Sequence, residues 1–397
     1  MEQIKASIKK ITEENFDELV NIRRHIHEHP ELSFEEIETA KFISQKLTEF
    51  GIEHQTNIGG HGIVGLIKGK NPDKKTVALR ADIDALPIQE TNTIDYKSKI
   101  DGKMHACGHD VHTTCLLGAS NVLNQVKDHF EGTIKLIFQP AEEKLPGGAS
   151  IMIDAGVLKN PTVDSIYGQH VHPPLEVGKV AFRPGMMMAS ADELYLTVKG
   201  QGGHAALPQN VVDPVVIAAH IIIGLQQITS RNANPGVPTV ISFGKVIANG
   251  ATNVIPYEVK IEGTFRTFDE DWRKEVHQKI KKMASGIAES MGGSCEVDIP
   301  RGYPHLKNNV ELTNRTIDWA KEFLGEENVE EMPLRMTGED FSFYTHHADA
   351  CFYRLGTGNA SKGIVSPVHT STFNIDEDAL KVGSGLMAWL AIKELTV

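Results

Sequence analysis

Two aspartates follow a β-rich run in the stretch Thr76-Val-Ala-Leu-Arg-Ala-Asp-Ile-Asp-Ala-Leu-Pro87. The apolar and β-branched residues before Asp82 predict a buried strand. Further strands are predicted at 133–138 and 163–167, and acidic residues or histidines again follow each of them. The sequence therefore predicts a core of short strands with acidic residues and histidines at their ends, where they are candidates for a functional site.

Helical patterns separate these strands. Apolar residues recur at helical spacing over 34–50 and over 113–126. Strands that alternate with helices predict an α/β fold with a mostly parallel sheet flanked by helices. The carboxyl ends of parallel strands share one edge of a sheet, where ligand sites form. At that edge the sequence places Asp82, Asp84, Glu142, Glu143, His170 and His172.

A different order of elements begins near residue 190. Strand, helix, strand, strand, helix and strand are predicted at 193–198, 213–229, 239–246, 258–265, 270–290 and 295–299. This βαββαβ order is typical of a ferredoxin-like α+β unit. We therefore expect a catalytic domain in two parts, 1–187 and 301–397, with an inserted smaller domain at 188–300.

Composition narrows the class of protein. At 397 residues the chain is long enough for two domains, and its net charge of −12 argues against a nucleic-acid surface. The most apolar stretch, 211–228, is too short and too broken for a membrane span and predicts a buried helix. Four irregularly spaced cysteines and a charged N-terminus predict a cytoplasmic protein with no membrane partner. Eighteen histidines favour metal or acid–base chemistry.

The densest group of possible ligands lies between Met104 and Thr113. This segment contains His105, Cys107, His109, Asp110 and His112. Imidazole, thiolate and carboxylate are ligands of zinc and its neighbours in the first transition row. The same residues could instead serve a thiol nucleophile with a nearby base.

A metal site explains more of the sequence than a thiol nucleophile does. A catalytic cysteine needs one activating base and leaves the carboxylates at the strand ends without a role. A pair of divalent cations needs about five or six anionic and imidazole ligands, which is close to what is present. The adjacent Glu142 and Glu143 also allow one carboxylate to bind a metal while its neighbour takes a proton from water.

Several different short motifs follow one another along nearly the whole chain. They are Arg23-Arg24-His25 with His29-Pro30-Glu31-Leu32, the Asp82/Asp84 segment, His105-Ala-Cys-Gly-His-Asp110, Gln139-Pro-Ala-Glu-Glu143, Gly168-Gln-His170, Gly202-Gly-His-Ala-Ala206, Asn253-Val-Ile-Pro256, Gly338-Glu-Asp-Phe341 and Ser366-Pro-Val-His-Thr370. In these motifs the chain resembles the M20 metallopeptidases. Within that family it is similar to the amidohydrolase and aminoacylase subgroup, which includes hippurate hydrolases and N-acetyl-amino-acid deacetylases.

The resemblance implies a set of metal ligands and a general base. The implied ligands are Cys107, His109, Glu143, His170 and His369. It implies two divalent ions per subunit, with zinc or manganese favoured and cobalt or nickel as options. Glu142 falls at the position of the general base, and Asp84 at that of an aspartate that orients a metal-binding histidine. The wider family has His-x-Asp where this chain has Asp82-x-Asp84, so the role of Asp82 stays open. The roles of Asp110 and of His172, which competes with His170 for the same position, stay open as well.

The resemblance also implies substrate contacts in the inserted domain. His204 matches a histidine that reaches a neighbouring subunit's active site and polarises the scissile carbonyl. Asn253 and Arg266 match positions that bind the substrate's carboxylate or carbonyl, although Arg266 could equally form a surface ion pair. These positions imply a homodimer through the inserted domain, which would then act in dimerisation and as a lid.

The implied activity is hydrolysis of the amide bond of N-acyl amino acids or related small conjugates. A water activated between two divalent ions would attack the carbonyl, with Glu142 as general base. A dipeptidase or aminopeptidase on the same metal site is the nearer alternative. A non-catalytic metal-binding protein is the more distant one, and the glutamate beside the ligand set argues against it.

Overall fold

The computed structural model describes all 397 residues, and contacts within the chain divide them into two compact units. The first unit contains Met1–Met187, Lys307–Pro333 and Asp340–Val397, and the second contains Met188–Leu306 and Leu334–Glu339. The short segment 334–339 lies far along the chain from the rest of the second unit, and no motif or periodicity marks it as part of that unit.

Nine α-helices and sixteen β-strands make up the two units. The helices are α1 (Glu2–Glu14), α2 (Phe16–Glu28), α3 (Ile37–Glu49), α4 (His109–Gln125), α5 (Gly148–Asp154), α6 (Pro214–Gln227), α7 (Glu270–Ser290), α8 (Val310–Leu324) and α9 (Ala379–Leu395). The strands are β1 (Glu53–Ile58), β2 (Gly62–Lys68), β3 (Thr76–Asp82), β4 (Thr133–Gln139), β5 (Ser165–Glu176), β6 (Val180–Phe182), β7 (Gly185–Met188), β8 (Asp192–Lys199), β9 (Gly203–His204), β10 (Thr239–Ile247), β11 (Val254–Ile255), β12 (Glu258–Thr267), β13 (Ser294–Asp298), β14 (Leu306–Asn308), β15 (Val329–Glu331) and β16 (Asp349–Gly358).

An eight-stranded sheet forms the centre of the first unit, in the order β1-β2-β4-β3-β5-β16-β6-β15. Its central neighbours, β4 with β3, β3 with β5 and β5 with β16, are parallel. Strands β1, β2 and β6 add antiparallel pairs toward the edges. Strand β3 is buried along its whole length, as is typical of the centre of a parallel sheet. The predicted α/β fold with a mostly parallel sheet is confirmed.

Two helices, α4 and α9, form the packed core beside this sheet. They contact each other, and both contact β3. Nearly every residue of α4 and α9 is buried, in keeping with sequences that are apolar on most of their faces. Because α4 begins at His109, one of the possible ligands is attached directly to this core.

Two elements extend beyond the sequence prediction, and both extensions affect the site. Helix α4 begins at His109 rather than at residue 113, after Gly108 in a left-handed conformation (φ 82°). Strand β5 continues to Glu176 rather than ending at residue 167, so His170 lies within the strand. The apolar pattern stops near residue 167, but parallel pairing with β16 continues through His170 and His172. Strand pairing, which the sequence does not display, therefore sets the end of β5.

The second unit contains a four-stranded antiparallel sheet in the order β10-β12-β8-β13. Along the chain its elements run β8, α6, β10, β12, α7, β13, which is the βαββαβ order expected from the sequence. Helices α6 and α7 pack with the sheet around a separate apolar core that includes Leu196, Ile221 and Ile280.

None of the helices combines the length and the apolar character that a membrane crossing requires. The apolar stretch 211–228 forms α6, which buries one face through Ile217, Ile221 and Leu225. Its other face is exposed, so the prediction of a buried helix is right for one side only.

Candidate metal centre

The thiol of Cys107 is the centre of a cluster of possible ligands in the first unit. Its Sγ lies 3.3 Å from His170 Nε2 and 3.2 Å from His369 Nε2. His369 comes from a loop 262 residues further along the chain, and its backbone N–H donates to Ala106 O at 2.8 Å. This backbone contact selects His369 over the nearby His346 and His347, which belong to none of the groups of possible ligands.

His109 is held from one side and presents its other nitrogen to carboxylates. Its Nδ1 donates to the backbone carbonyl of Asp84 at 2.9 Å and to Asp84 Oδ1 at 3.1 Å. Its Nε2 lies 3.9 Å from Glu143 Oε1 and 3.8 Å from Asp82 Oδ2. His109 Nε2 and Glu143 Oε1 are buried and have no hydrogen-bond partner. A buried imidazole nitrogen and a buried carboxylate oxygen that face each other in this way fit a cation between them, with the metal ion taking the place of the proton on His109 Nε2.

The ligand atoms fall into overlapping groups, each with its members within 4.8 Å of one another. One group is Cys107, His109 and His170, and a second is Cys107, Glu143 and His369. Cys107 belongs to both, so its sulfur would be a ligand common to the two groups. Thiolate, imidazole and carboxylate donors at these separations fit zinc or another first-row divalent ion.

Hydrogen bonds fix the ring orientation of His170 and of its neighbour His112. His170 Nδ1 donates to Val171 O at 2.8 Å, which leaves the Nε2 lone pair directed at Cys107. His112 Nε2 accepts the Val171 N–H at 2.9 Å, and its Nδ1 donates to Asp82 Oδ1 at 2.6 Å. Contacts of this kind orient metal-binding imidazoles in proteins. They tie Asp82 to His112, and these two residues form a further group of possible ligands with His109.

The electrostatics of the cluster favour a cation. Burial raises the pKa of the Cys107 thiol well above its ordinary value, and Glu143, Glu142 and Asp82 raise it further. Burial opposes a charge on His109, but Asp82, Asp84 and Glu143 outweigh it and raise its pKa to about 10. Burial lowers the pKa of His170 well below 6.5, so this imidazole is neutral and can act as a ligand.

The paired glutamates are held by contacts from distant parts of the first unit. The Glu143 backbone N–H donates to Asp84 Oδ2 at 3.0 Å, and Ser33 Oγ donates to the same oxygen at 2.6 Å. Glu142 is buried, and its Oε1 accepts the Asp340 backbone N–H at 3.3 Å. Glu142 also lies within one group with His109 and Glu143. Glu143 therefore belongs to the group that contains Cys107 and His369, and Glu142 lies beside it.

The three remaining predicted site residues lie in the second unit. His204 is exposed on β9, and Asn253 precedes β11, which pairs with β9. The Ala205 N–H donates to Asn253 O at 3.0 Å, so these two positions are close in space. Arg266 on β12 is half-buried and donates through Nε to Thr264 Oγ1 at 2.9 Å. It forms no ion pair, and burial lowers its pKa. The roles of these residues stay predictions.

Asp110, whose role the sequence does not decide, is fully buried and forms an ion pair with Arg23. Asp110 Oδ2 accepts from Arg23 Nε and from His27 Nδ1, each at 2.8 Å. His105, from the same segment, is fully buried. His172, the alternative to His170, is only half-buried and belongs to none of the ligand groups.

Two buried residues with contacts around the glutamates were missed from the sequence. Arg80 donates to Asp82, Gln139 and Asp340, and Glu36 accepts the Ala141 N–H at 2.8 Å. A charged residue inside a predicted buried strand was the available signal for Arg80. Glu36 stands in an acidic run that carries no such signal.

A ligand cluster with a second glutamate beside it is the arrangement of a metal-dependent hydrolase. The sequence profile described as Peptidase family M20/M25/M40 matches residues 78–393. The chain belongs to this family and is a hydrolase of its amidohydrolase type.

Relatives along the whole chain support this membership. The N-acetylcysteine deacetylase of Bacillus subtilis is 40% identical over 380 residues, covering 94% of this chain and 96% of that protein. Thermostable carboxypeptidase 2 of Saccharolobus solfataricus is 40% identical over 396 residues, covering 99% and 98%. The crystal structure of the Bacillus subtilis YXEP protein, described as a dinuclear metal binding peptidase from M20 family, has a TM-score of 0.82. It is 36% identical and covers 97% of this chain and 99% of that one.

Proposed function

We propose that this enzyme hydrolyses the amide bond of N-acyl amino acids or related small conjugates, with Glu142 as general base. The observation that carries the proposal is the Cys107 sulfur within 3.3 Å of two imidazoles, with the glutamate pair beside it. The deacetylase relative supports an acyl-amino-acid substrate.

Cys107, His109, Glu143, His170 and His369 would hold two divalent ions. When bound, these ions supply a Lewis acid and lower the pKa of water. We favour zinc or manganese, because thiolate and imidazole suit zinc while carboxylates admit manganese, and cobalt or nickel could also support turnover. Asp84 keeps the proton on His109 Nδ1 and so presents Nε2 as the ligand atom.

Glu142 carries the proton through the reaction. Its carboxylate takes a proton from the attacking water as the new C–O bond forms at the substrate carbonyl. When the C–N bond breaks, Glu142 gives that proton to the leaving amine and returns to the carboxylate form. A buried position favours this role, because Glu142 exchanges its proton with reacting groups rather than with bulk water.

Substitution of Glu142 tests this proposal most directly. Glu142→Ala is expected to lower kcat by about 10²- to 10⁴-fold while metal content stays at the wild-type level, because Glu143 and the other ligands are intact. Kinetics and elemental analysis of the same preparation measure both quantities. Near-normal turnover by the fully metallated variant would contradict the assignment.

A peptidase activity is the second candidate, and the carboxypeptidase relative favours it. The metal cluster alone does not decide which amide is cleaved. Parallel assays with N-acetyl amino acids, N-benzoyl amino acids and dipeptides distinguish the two activities. We expect the acylated amino acids to give the highest kcat/KM, and preference for dipeptides would favour the second candidate. Metal uptake without turnover on any of these substrates would instead support a non-catalytic metal-binding protein.

We further propose that the second unit is an inserted dimerisation and lid domain. Val215, Val216 and Ile223 of α6 are 40%, 45% and 70% exposed, and β10 is an unpaired sheet edge. A second copy of this chain would cover such a surface. In the dimer, His204 would polarise the carbonyl in the partner's site, while Asn253 and Arg266 would bind the substrate's polar groups.

Co-expression of two inactive variants tests the role of His204. If His204 acts across the dimer, mixed dimers of Glu142→Ala and His204→Ala contain one complete site, and random pairing restores about a quarter of wild-type activity. No restoration in verified mixed dimers would mean that His204 acts within its own subunit. The proposed cytoplasmic location is in keeping with four free cysteines.

A further inference from the structure

The residue before the glutamate pair has an unusual backbone conformation. Ala141 has a φ of 52°, in the left-handed region that side chains other than glycine rarely adopt. It is completely buried, and the Gly148 N–H donates to its carbonyl at 2.9 Å. Strain of this kind persists only where surrounding contacts enforce it. Because Ala141 adjoins Glu142, its conformation decides where the Glu142 side chain begins.

One carboxylate oxygen binds the N–H of Ala141, in addition to the Gly148 contact at its carbonyl. Glu36 Oε1 accepts the Ala141 N–H at 2.8 Å and the Phe34 N–H at 3.0 Å. Phe34 is also left-handed, with a φ of 70°. Glu36 is fully buried, forms no ion pair, and its Oε2 has no hydrogen-bond partner. A buried carboxyl group kept without a cation needs a reason other than charge pairing.

Helix capping does not supply that reason. Glu36 is the N-cap residue of α3, but its side chain makes no capping hydrogen bond to the helix. Glu31 serves there instead, since its carboxylate accepts the backbone N–H groups of Glu38 and Thr39. The Glu36 side chain is therefore directed away from its own helix and toward the loop that carries the glutamate pair.

Three consecutive loop residues each form a hydrogen bond with a distant part of the first unit. Glu36 holds the Ala141 N–H, Asp340 N–H donates to Glu142 Oε1, and Asp84 holds the Glu143 N–H. Asp84 also orients His109, so its substitution disturbs a proposed ligand. Glu36 hydrogen-bonds to none of the proposed ligands, and it can be changed while their contacts stay intact.

We propose that Glu36 is a positioning residue for Glu142, which it places by holding Ala141 in the left-handed conformation. This inference rests on the proposed role of Glu142 as general base. Without the Glu36 acceptor, Ala141 relaxes toward an ordinary conformation and Glu142 leaves its place beside the cluster. The ligands stay in place, because their own contacts do not pass through Glu36. A shift of about 1 Å in a catalytic group can cost about 100-fold in rate.

Three variants separate positioning from folding. Glu36→Leu removes the acceptor and is expected to lower kcat by about 10- to 100-fold, with KM and bound metal per subunit unchanged. Glu36→Gln keeps an accepting oxygen and is expected to stay within about threefold of wild type, since the two N–H contacts need an acceptor and not a charge. Glu31→Leu is the matched control, because it removes a cap from the same helix and touches neither Ala141 nor the glutamate pair.

A second substitution checks the proposed cause. Ala141→Gly adopts the left-handed conformation without steric cost, so in the Glu36→Leu background it is expected to recover part of the lost kcat. Kinetics, elemental analysis and thermal unfolding are measured for every variant.

Several outcomes would overturn the inference. One is a wild-type kcat in Glu36→Leu, and another is a kcat in Glu36→Gln or in Glu31→Leu that falls as far as in Glu36→Leu. A further one is a kcat in Glu36→Leu that Ala141→Gly does not raise. Failure of the proposed function is recognised separately, by turnover in Glu142→Gln measured alongside. If Glu142→Gln is inactive while Glu36→Leu is fully active, only the positioning role is wrong.

Discussion

Asp84→Asn is the substitution whose effect on metal affinity can be worked out most fully. The Asp84 carboxylate accepts three hydrogen bonds, from His109 Nδ1, Ser33 Oγ and the Glu143 backbone N–H. All three partners are donors. An asparagine has only one accepting oxygen, so its NH₂ group must face at least one of these donors in either orientation.

The expected loss of metal affinity follows from the roles of the residues that donate to Asp84. His109 and Glu143 are both proposed ligands, and Asp84 fixes the ring of the first and the backbone of the second. Loss of a contact that orients a metal ligand costs about 10- to 100-fold in affinity, or about 1.4–2.7 kcal/mol. Because Asp84 orients two ligands, we expect Asp84→Asn to fall at the upper end of that range.

Competition with a calibrated chelator measures the affinity, on wild type and variant prepared in the same way. Asp192→Asn is the matched control, since Asp192 is also buried and accepts from an imidazole, His277, and from a backbone N–H, that of Gly302. It belongs to the second unit, so its loss should lower stability and leave metal affinity unchanged. Unchanged affinity in Asp84→Asn, or an equal loss in the control, would refute the reasoning.

Three further predictions concern the cluster and its support. Cys107→Ala should lose bound metal together with activity by elemental analysis, and a fully metallated variant would argue against thiolate ligation. Gly108→Ala should lower the unfolding free energy by about 1–2 kcal/mol for its positive φ and about 1–3 more for overlap with Val171, 2.6 Å from the new Cβ. Gly102→Ala, with open space around it, should show the φ cost alone. Burial and then Asp84 raise the pKa of Glu36 to about 7, above its ordinary 4.5, so folding takes up a proton between those values. The contribution of Glu36 to stability should be complete below pH 4.5 and fall by about 3 kcal/mol as pH rises through 7, and Glu36→Gln should remove this dependence in urea unfolding at pH 5 and 8. A constant difference between wild type and Glu36→Gln at both pH values would contradict that pKa.

The sequence predicted the kinds of elements better than their ends. Short apolar and β-branched runs located β3 and β4 to within a residue, because both strands are buried along their whole length. The start of α4 and the end of β5 were wrong by several residues. At both places polar ligands replace the apolar pattern, and the structure is maintained by the Gly108 turn and by pairing with β16. Where functional polar residues interrupt the apolar pattern, the ends of helices and strands therefore cannot be located from that pattern.

The candidate ligands were predictable mainly through ordered motifs. Cys107 and His109 stand out by themselves, but nothing local distinguishes His369 from His346. Only the fold brings the His369 N–H to Ala106, next to the cluster. Glu36 was missed for the same reason, since its partner Ala141 lies 105 residues further along the chain.

By itself, then, the sequence determined the α/β class and the chemical types of the ligands. It also determined the two orders of elements, alternating strands and helices in one part of the chain and βαββαβ in the other. These depend on short-range periodicity and residue identity, which one chain displays directly. Only the tertiary structure decided which histidines approach the thiol of Cys107, and that Asp82 hydrogen-bonds to His112 and Glu36 to the Ala141 N–H. Those distinctions depend on distances between residues far apart in sequence, because hydrogen bonds and ion coordination act only over a few ångströms in space.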